Sequence, residues 1–220
     1  MPDSSPMVTP AQRKWLPWLT AVGFFMQTLD GTILNTALPS MAEALGESPL
    51  QMQSVIIAYM LTVALLIPAS GWLADRFGTR RVYLVAILLF TLGSLACAIA
   101  NTLPMLVIAR VLQGVGGALL MPIGRLAVLR VYSKHELLRV MSFVTIPGLL
   151  GPLIGPALGG WLVEVASWHW VFLINLPVGL LGFVASWHFM PDLRQHTARF
   201  DWQGFVLFSV GMVLVSVGLQ

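Results

Sequence analysis

The sequence predicts an all-α membrane protein, a bundle of six membrane-crossing helices followed by the start of a seventh. Three observations carry this. The chain is 57% hydrophobic and only 10% charged, with a mean hydropathy of +0.84, whereas soluble domains carry about 25% charged residues. Its apolar residues gather into seven runs, each near the ~20 residues that a helix needs to cross a bilayer. Eleven of its twelve Lys and Arg residues fall in alternate connections between those runs.

Residues 1–14 are polar and Pro-rich, end in Arg13-Lys14, and read as a cytoplasmic tail. The run from Leu16 to Pro39 exceeds the roughly 7–15 residues of a signal-peptide core, so it is read as a retained first span, 15–38. The next spans are 52–74, 82–100, 104–124, 140–163 and 170–190, which completes a bundle over 15–190. A loop over 191–200 then leads to a seventh apolar run, 201–220, which the sequence leaves unfinished.

The basic residues test this topology. Arg13 and Lys14 precede the first span; Arg76, Arg80 and Arg81 lie between the second and third. Arg125, Arg130, Lys134 and Arg139 lie between the fourth and fifth, and Arg194 and Arg199 follow the sixth. The intervening loops contain none, which places the N-terminus in the cytoplasm by the positive-inside rule. Trp15, Trp18, Trp72, Trp187 and Trp202 fall at predicted cytoplasmic ends, and Trp161, Trp168 and Trp170 at external ends, as interfacial aromatic belts require.

Composition also excludes classes of function. The pI near 9.5 does not indicate nucleic acid, because the basic residues sit in small groups between apolar runs rather than on one polar face. Cys97 is the single cysteine, so neither an internal disulfide nor a cysteine metal cage is available. His135, His169, His188 and His196 have no metal-ligand partner at suitable spacing. Gly114-Val-Gly-Gly-Ala118 follows a membrane span rather than a strand, which discards a dinucleotide site. No HExxH or GxSxG motif supports hydrolysis. The chain is read as no enzyme, without cofactor or metal.

The most polar short run of the first half is Gly71-Trp-Leu-Ala-Asp-Arg-Phe-Gly-Thr-Arg-Arg81. A loop of about six residues between two spans joins antiparallel neighbours. Gly71 and Gly78 are read as turn residues, with Arg76, Arg80 and Arg81 supplying positive charge and Asp75 a partner for an arginine or a helix end. The charge bias alone explains the arginines; it does not explain the two glycines and the aspartate.

Two charges lie inside spans: Asp30 in the first and Arg110 in the fourth. Counting from the span ends puts both roughly 9–14 Å inside the external boundary. An ionisable group there costs about 2.5–3.5 kcal/mol on insertion scales unless paired or hydrated. Opposite charges at one depth point to a pair lining a polar cavity, and Gln27, Asn35 and Gln113 are further candidates to line it. The fifth span carries Gly148, Gly151, Pro152, Gly155, Pro156, Gly159 and Gly160. Three- and four-residue spacing strips one helix face of side chains, which lets another helix approach closely. The prolines remove backbone donors, and the stretch is read as a hinge or a sealed interface.

These motifs resemble those of the major facilitator superfamily. Gly71, Leu73, Ala74, Asp75, Arg76, Gly78 and Arg80 match its GxLaDRxGrk signature, with Thr79 where the family has a basic residue. Leu106 to Ala118 resembles its LxxxRxxQGxGaA motif, linked to proton transfer, and Gly148 to Gly160 its GxxxGPxxGG antiporter motif. Leu29 to Pro39 and Trp168 to Gly179 resemble the LDxTIvNvALP and WRWIFxINxPxG segments of its drug:proton antiporters, with His169 in place of an arginine.

The resemblance implies two inverted three-helix repeats forming an N-terminal bundle, with the transport path between it and a second, C-terminal bundle. It implies a proton-coupled exporter of drugs or other small organic solutes in the inner membrane. Asp30 and Arg110 would couple the proton, the 71–81 turn would act as a cytoplasmic latch, and the fifth span would seal the path. The cargo stays open between a drug and a metabolite such as an organic carboxylate, for example citrate. A non-transporting scaffold or regulatory subunit is the other class, although a scaffold has no use for two charges at matched depth.

Overall fold

The computed structural model describes residues 8–195 and 200–218. Residues 1–7 of the predicted tail, His196 and Arg199 of the predicted loop, and Leu219 and Gln220 lie outside the described residues. The chain folds as α1 (Pro10–Leu45), α2 (Pro49–Phe77), α3 (Thr79–Ala98), α4 (Leu103–Val131), α5 (Lys134–Val165), α6 (Trp170–Leu173), α7 (Asn175–Phe189) and α8 (Trp202–Gly218). There is no strand among the described residues.

The helices start earlier than hydropathy alone places them, because local caps begin them. Thr9 Oγ1 accepts from Gln12 N at 3.2 Å while Gln12 Oε1 accepts from Thr9 N at 3.0 Å. Ser48 with Gln51 forms the same reciprocal box, and at the start of α5 the Glu136 carboxylate accepts from Ser133 N at 3.1 Å and from Ser133 Oγ at 2.7 Å; both satisfy backbone donors that a helix start leaves free. Pro10, Pro49 and Pro104 stand in the first turns of their helices, where the absent N–H is no loss. α1 therefore includes Arg13 and Lys14, which the sequence reading put in the tail.

Among the described residues, five helical segments are long and apolar enough to cross a membrane: α2, α3, α4, α5, and α6 with α7 taken together. α1 is 36 residues long, but Thr28, Asp30, Thr32, Asn35 and Thr36 dilute its apolar character. The predicted 170–190 span is divided. α6 and α7 meet at Ile174, which keeps helical dihedrals of φ −60° and ψ −25°. Pro177 has no N–H to give to the Leu173 carbonyl, which interrupts the ladder there.

The 71–81 stretch requires a correction. α2 continues through Phe77 and α3 begins at Thr79, so the connection is Gly78 alone. Gly71 is a helical residue, with nothing within 4 Å of where a Cβ would stand. Gly78 makes the turn with φ +93°, a conformation that glycine adopts without penalty.

α1 packs most extensively on α5, and α4 on α3 and α2; α7 lies against α3 and α1. Two apolar clusters result. One contains Leu16, Met26, Tyr83, Phe90, Ile123 and Val128. The other contains Ile33, Met41, Met52, Leu106, Cys97 and Phe172. Along α1, α3 and α4 the break between them falls at Asp30, at Ser94, and at Arg110 and Gln113.

Candidate functional site

The polar layer between the two clusters is a closed hydrogen-bonded group. Arg110 Nη1 donates to Asp30 Oδ2 at 2.6 Å, and both side chains are 1% exposed. The same Nη1 lies 2.6 Å from Gln113 Oε1. Gln113 Nε2 donates to Asp30 Oδ1 at 2.8 Å and to Ser94 Oγ at 2.7 Å. Asn175 Nδ2 donates to Asp30 Oδ1 at 3.1 Å. The guanidinium stacks 4.1 Å from the Tyr59 ring centroid and 5.9 Å from that of Phe172. Each charge is thus compensated by a partner and by neutral donors or a π face, which offsets the cost of removing it from water.

Close helix contacts hold this geometry. A Cβ on Gly93 of α3 would stand 2.5 Å from Gln113 Cα, and one on Gly116 of α4 would stand 2.6 Å from the Ala86 carbonyl oxygen. Glycine at both positions brings α3 near enough for Ser94 to reach Gln113. Gly117 leaves room for Tyr59, whose Oη would be 2.7 Å from an added Cβ.

Sequence reasoning named Asp30, Arg110 and Gln113, and the structure brings all three together. Gln113 sits inside the group rather than on an open cavity wall, since it is fully buried. Gln27 is half-buried with Oε1 unpartnered, and Asn35 is exposed, so neither joins the group. Asn175, Ser94 and Tyr59 were missed. Asn175 was legible as the lone amide in an otherwise apolar stretch from Val171 to Val178. Ser94 and Tyr59 carry no such signal, because serine and tyrosine are ordinary within apolar helices.

At the basic end, Asp75 pairs with Arg130, which ties the end of α2 to the end of α4. Arg76 lies over Trp72, 5.5 Å from its ring centroid. Arg80 donates to the Trp187 carbonyl, and Arg81 is exposed. Thr79 is fully buried; its Oγ1 donates to the Pro191 carbonyl at 2.7 Å and accepts from Leu193 N at 3.0 Å. The turn therefore holds the segment after α7 of this same chain.

The glycine face of α5 also differs from expectation. It meets α1 within the bundle, not a second bundle. Added Cβ atoms on Gly148, Gly151, Gly155 and Gly159 would overlap Phe24, Thr28, Thr32 and Thr36 respectively. Both stripes advance by three or four residues, so they mesh turn by turn. Thr32 Oγ1 lies 3.3 Å from the Gly151 carbonyl oxygen as acceptor. Pro152, Pro156 and Gly160, each one residue after a glycine of the stripe, are exposed beside that face on a helix that continues unbroken through all three prolines.

A family model described as the Major Facilitator Superfamily matches residues 20–218. The chain belongs to this superfamily. It is 58% identical over 214 residues to the "Putative multidrug resistance protein MdtD" of Pectobacterium atrosepticum, covering 97% of this chain and 46% of the relative. It is 56% identical over 211 residues to the protein of that name in Salmonella paratyphi B, covering 96% and 45%. The chain thus spans less than half the length of these relatives.

Among solved structures, the fold of this chain matches a peptide transporter POT in complex with sulfate, with TM-score 0.72 at 20% identity over 93% of this chain and 45% of that one. The same transporter as an E310Q mutant with alafosfalin gives TM-score 0.72 at 22% identity. Its superfamily makes the chain a multi-pass membrane protein of a transporter family, and not an enzyme.

Proposed function

We propose that this chain is the N-terminal bundle of a secondary transporter that exports drugs or other small organic solutes in exchange for protons. The observation that carries this is the buried Asp30–Arg110 pair at 2.6 Å within the membrane-crossing bundle. Asp30 is the group that takes up and releases the coupled proton. In its charged form it is held by Arg110, Gln113 and Asn175, contacts that a change of conformation would have to displace. Support also comes from the similarity to proteins named for multidrug resistance. The bundle works against a second bundle, with the path between them, in an inner membrane with the N-terminus in the cytoplasm.

The test uses the full-length protein in proteoliposomes. A panel of cationic drugs and organic carboxylates identifies a cargo under an imposed pH gradient. Asp30→Asn should abolish gradient-driven exchange while leaving cargo binding measurable. Exchange by Asp30→Asn as fast as wild type under the same gradient removes Asp30 from the coupling step and overturns the proposal.

A further inference from the structure

A groove of about 320 Å³ runs along the side of the bundle between α1 and α7. Trp15, Trp18 and Val22 form one wall, and Leu181, Gly182 and Ala185 the other. Gly182 leaves open space where a Cβ would stand, which widens the groove. From Trp15 to Met26 the α1 wall rises about 16 Å at 1.5 Å per residue, roughly half of a hydrocarbon core about 30 Å thick. The groove thus has the length of one leaflet and lies at its basic-loop end, apart from the Asp30 group.

Three features distinguish it from a surface merely wetted by lipid. Ser186 lines the groove, is fully buried, and its Oγ has no hydrogen-bond partner. It stands three residues before the end of α7, about 4.5 Å along the axis, which is the depth of the boundary between hydrocarbon and headgroups. A buried hydroxyl without a partner is unfavourable, and an acceptor entering along the groove relieves it. Trp15 of α1 stacks on Phe189 of α7 with centroids 5.4 Å apart, an aromatic pair at interfacial level. Lys14 lies four residues before Trp18 and eight before Val22, hence on the same stripe of α1. It is exposed and forms no salt bridge among the described residues.

We propose that this groove holds an acyl chain of an anionic phospholipid from the leaflet on the basic-loop side, with Ser186 Oγ donating to an ester carbonyl and Lys14 facing the phosphate. The walls offer no charged group to grip a polar cargo, whereas hydrocarbon, ester and phosphate match the apolar, hydroxyl and cationic levels in order. Basic pockets between membrane helices select anionic headgroups by the same electrostatics.

The test strips the full-length protein of lipid in detergent. It is then titrated with phosphatidylglycerol or phosphatidylethanolamine and read by native mass spectrometry. Wild type should bind phosphatidylglycerol first. Gly182→Phe, which fills the groove, should weaken that binding at least tenfold, and Lys14→Ala should erase the preference between the two lipids. Ser186→Ala should weaken binding about threefold to tenfold, as loss of one neutral hydrogen bond does. It should also raise the melting temperature of the stripped protein and shrink the rise that phosphatidylglycerol produces, which keeps the test decisive should Gly182→Phe fail to fold. Titrations of both groove variants that superimpose on wild type overturn the proposal. Equal binding of the two lipids by wild type does the same. So does a wild-type dimer that Gly182→Phe converts to monomers with lipid binding unchanged, since the occupant is then a second copy of the chain.

Discussion

Gln113 Nε2 donates to Asp30 Oδ1 at 2.8 Å, so a neutral side chain one helical turn beyond Arg110 reaches the same carboxylate. Its Oε1 lies 2.6 Å from the arginine Nη1. One amide thereby bridges both members of the ion pair, and its orientation is fixed by having a donor on one side and an acceptor on the other.

Gln113→Leu should therefore destabilise the bundle by about 1–3 kcal/mol, because the fully buried charges and Ser94 each lose a partner. Thermal unfolding of the full-length protein in detergent measures this. A melting temperature equal to wild type would show that the bridge contributes nothing to stability.

Arg110→Ala should cost more, about 3–5 kcal/mol, since it leaves a buried carboxylate without its counter-charge. Asp30→Asn is milder. The amide oxygen can still accept from Arg110, but its NH2 faces the donor groups of Gln113 and Asn175. Combining the two substitutions should cost less than the sum of the single effects, because the double variant buries no unpaired charge. Strict additivity of the unfolding free energies would mean that the two charges do not interact in the folded protein.

Gly155→Leu should prevent α1 and α5 from docking, since even a Cβ there meets Thr32. Overpacking of this kind costs about 1–3 kcal/mol or more. Gly160→Leu, five residues further on and off the α1-facing stripe with nothing within 4 Å, should leave yield and monodispersity unchanged. Loss of both variants to the same extent on size-exclusion chromatography would mean that the contact with α1 does not set the tolerance.

Orientation is open to direct labelling. Cysteines at Asn101 and Ser167, in loops without basic residues, should react with an impermeant thiol reagent applied to intact cells, in a background where buried Cys97 is replaced. A cysteine at Lys134 should not react. Labelling at Lys134 in sealed cells reverses the assigned topology.

The sequence by itself determined the class, an all-α membrane protein. Segment length, hydropathy and alternate charge are properties of the chain that a bilayer reads without reference to packing. It also singled out Asp30 and Arg110, because a charge inside an apolar run is anomalous wherever the other helices stand. Helix starts at Thr9, Ser48 and Ser133 went unread, because hydropathy marks the apolar core of a span and not the polar cap before it. What only the tertiary structure decided is which faces meet. Asn175 reaches Asp30 across 145 positions, and Ser94 reaches Gln113 only because Gly93 and Gly116 let α3 and α4 close up. The glycine stripe of α5 announced a close contact, but α1 and a second bundle answer to the same spacing. Thr28, Thr32 and Thr36 became its partners because their hydroxyls bond back to their own helix, as Thr32 Oγ1 does to the Thr28 carbonyl at 3.0 Å, leaving a shallow surface that a glycine face can meet. Such complementarity belongs to pairs of surfaces, and a single chain read in order does not contain the pairing.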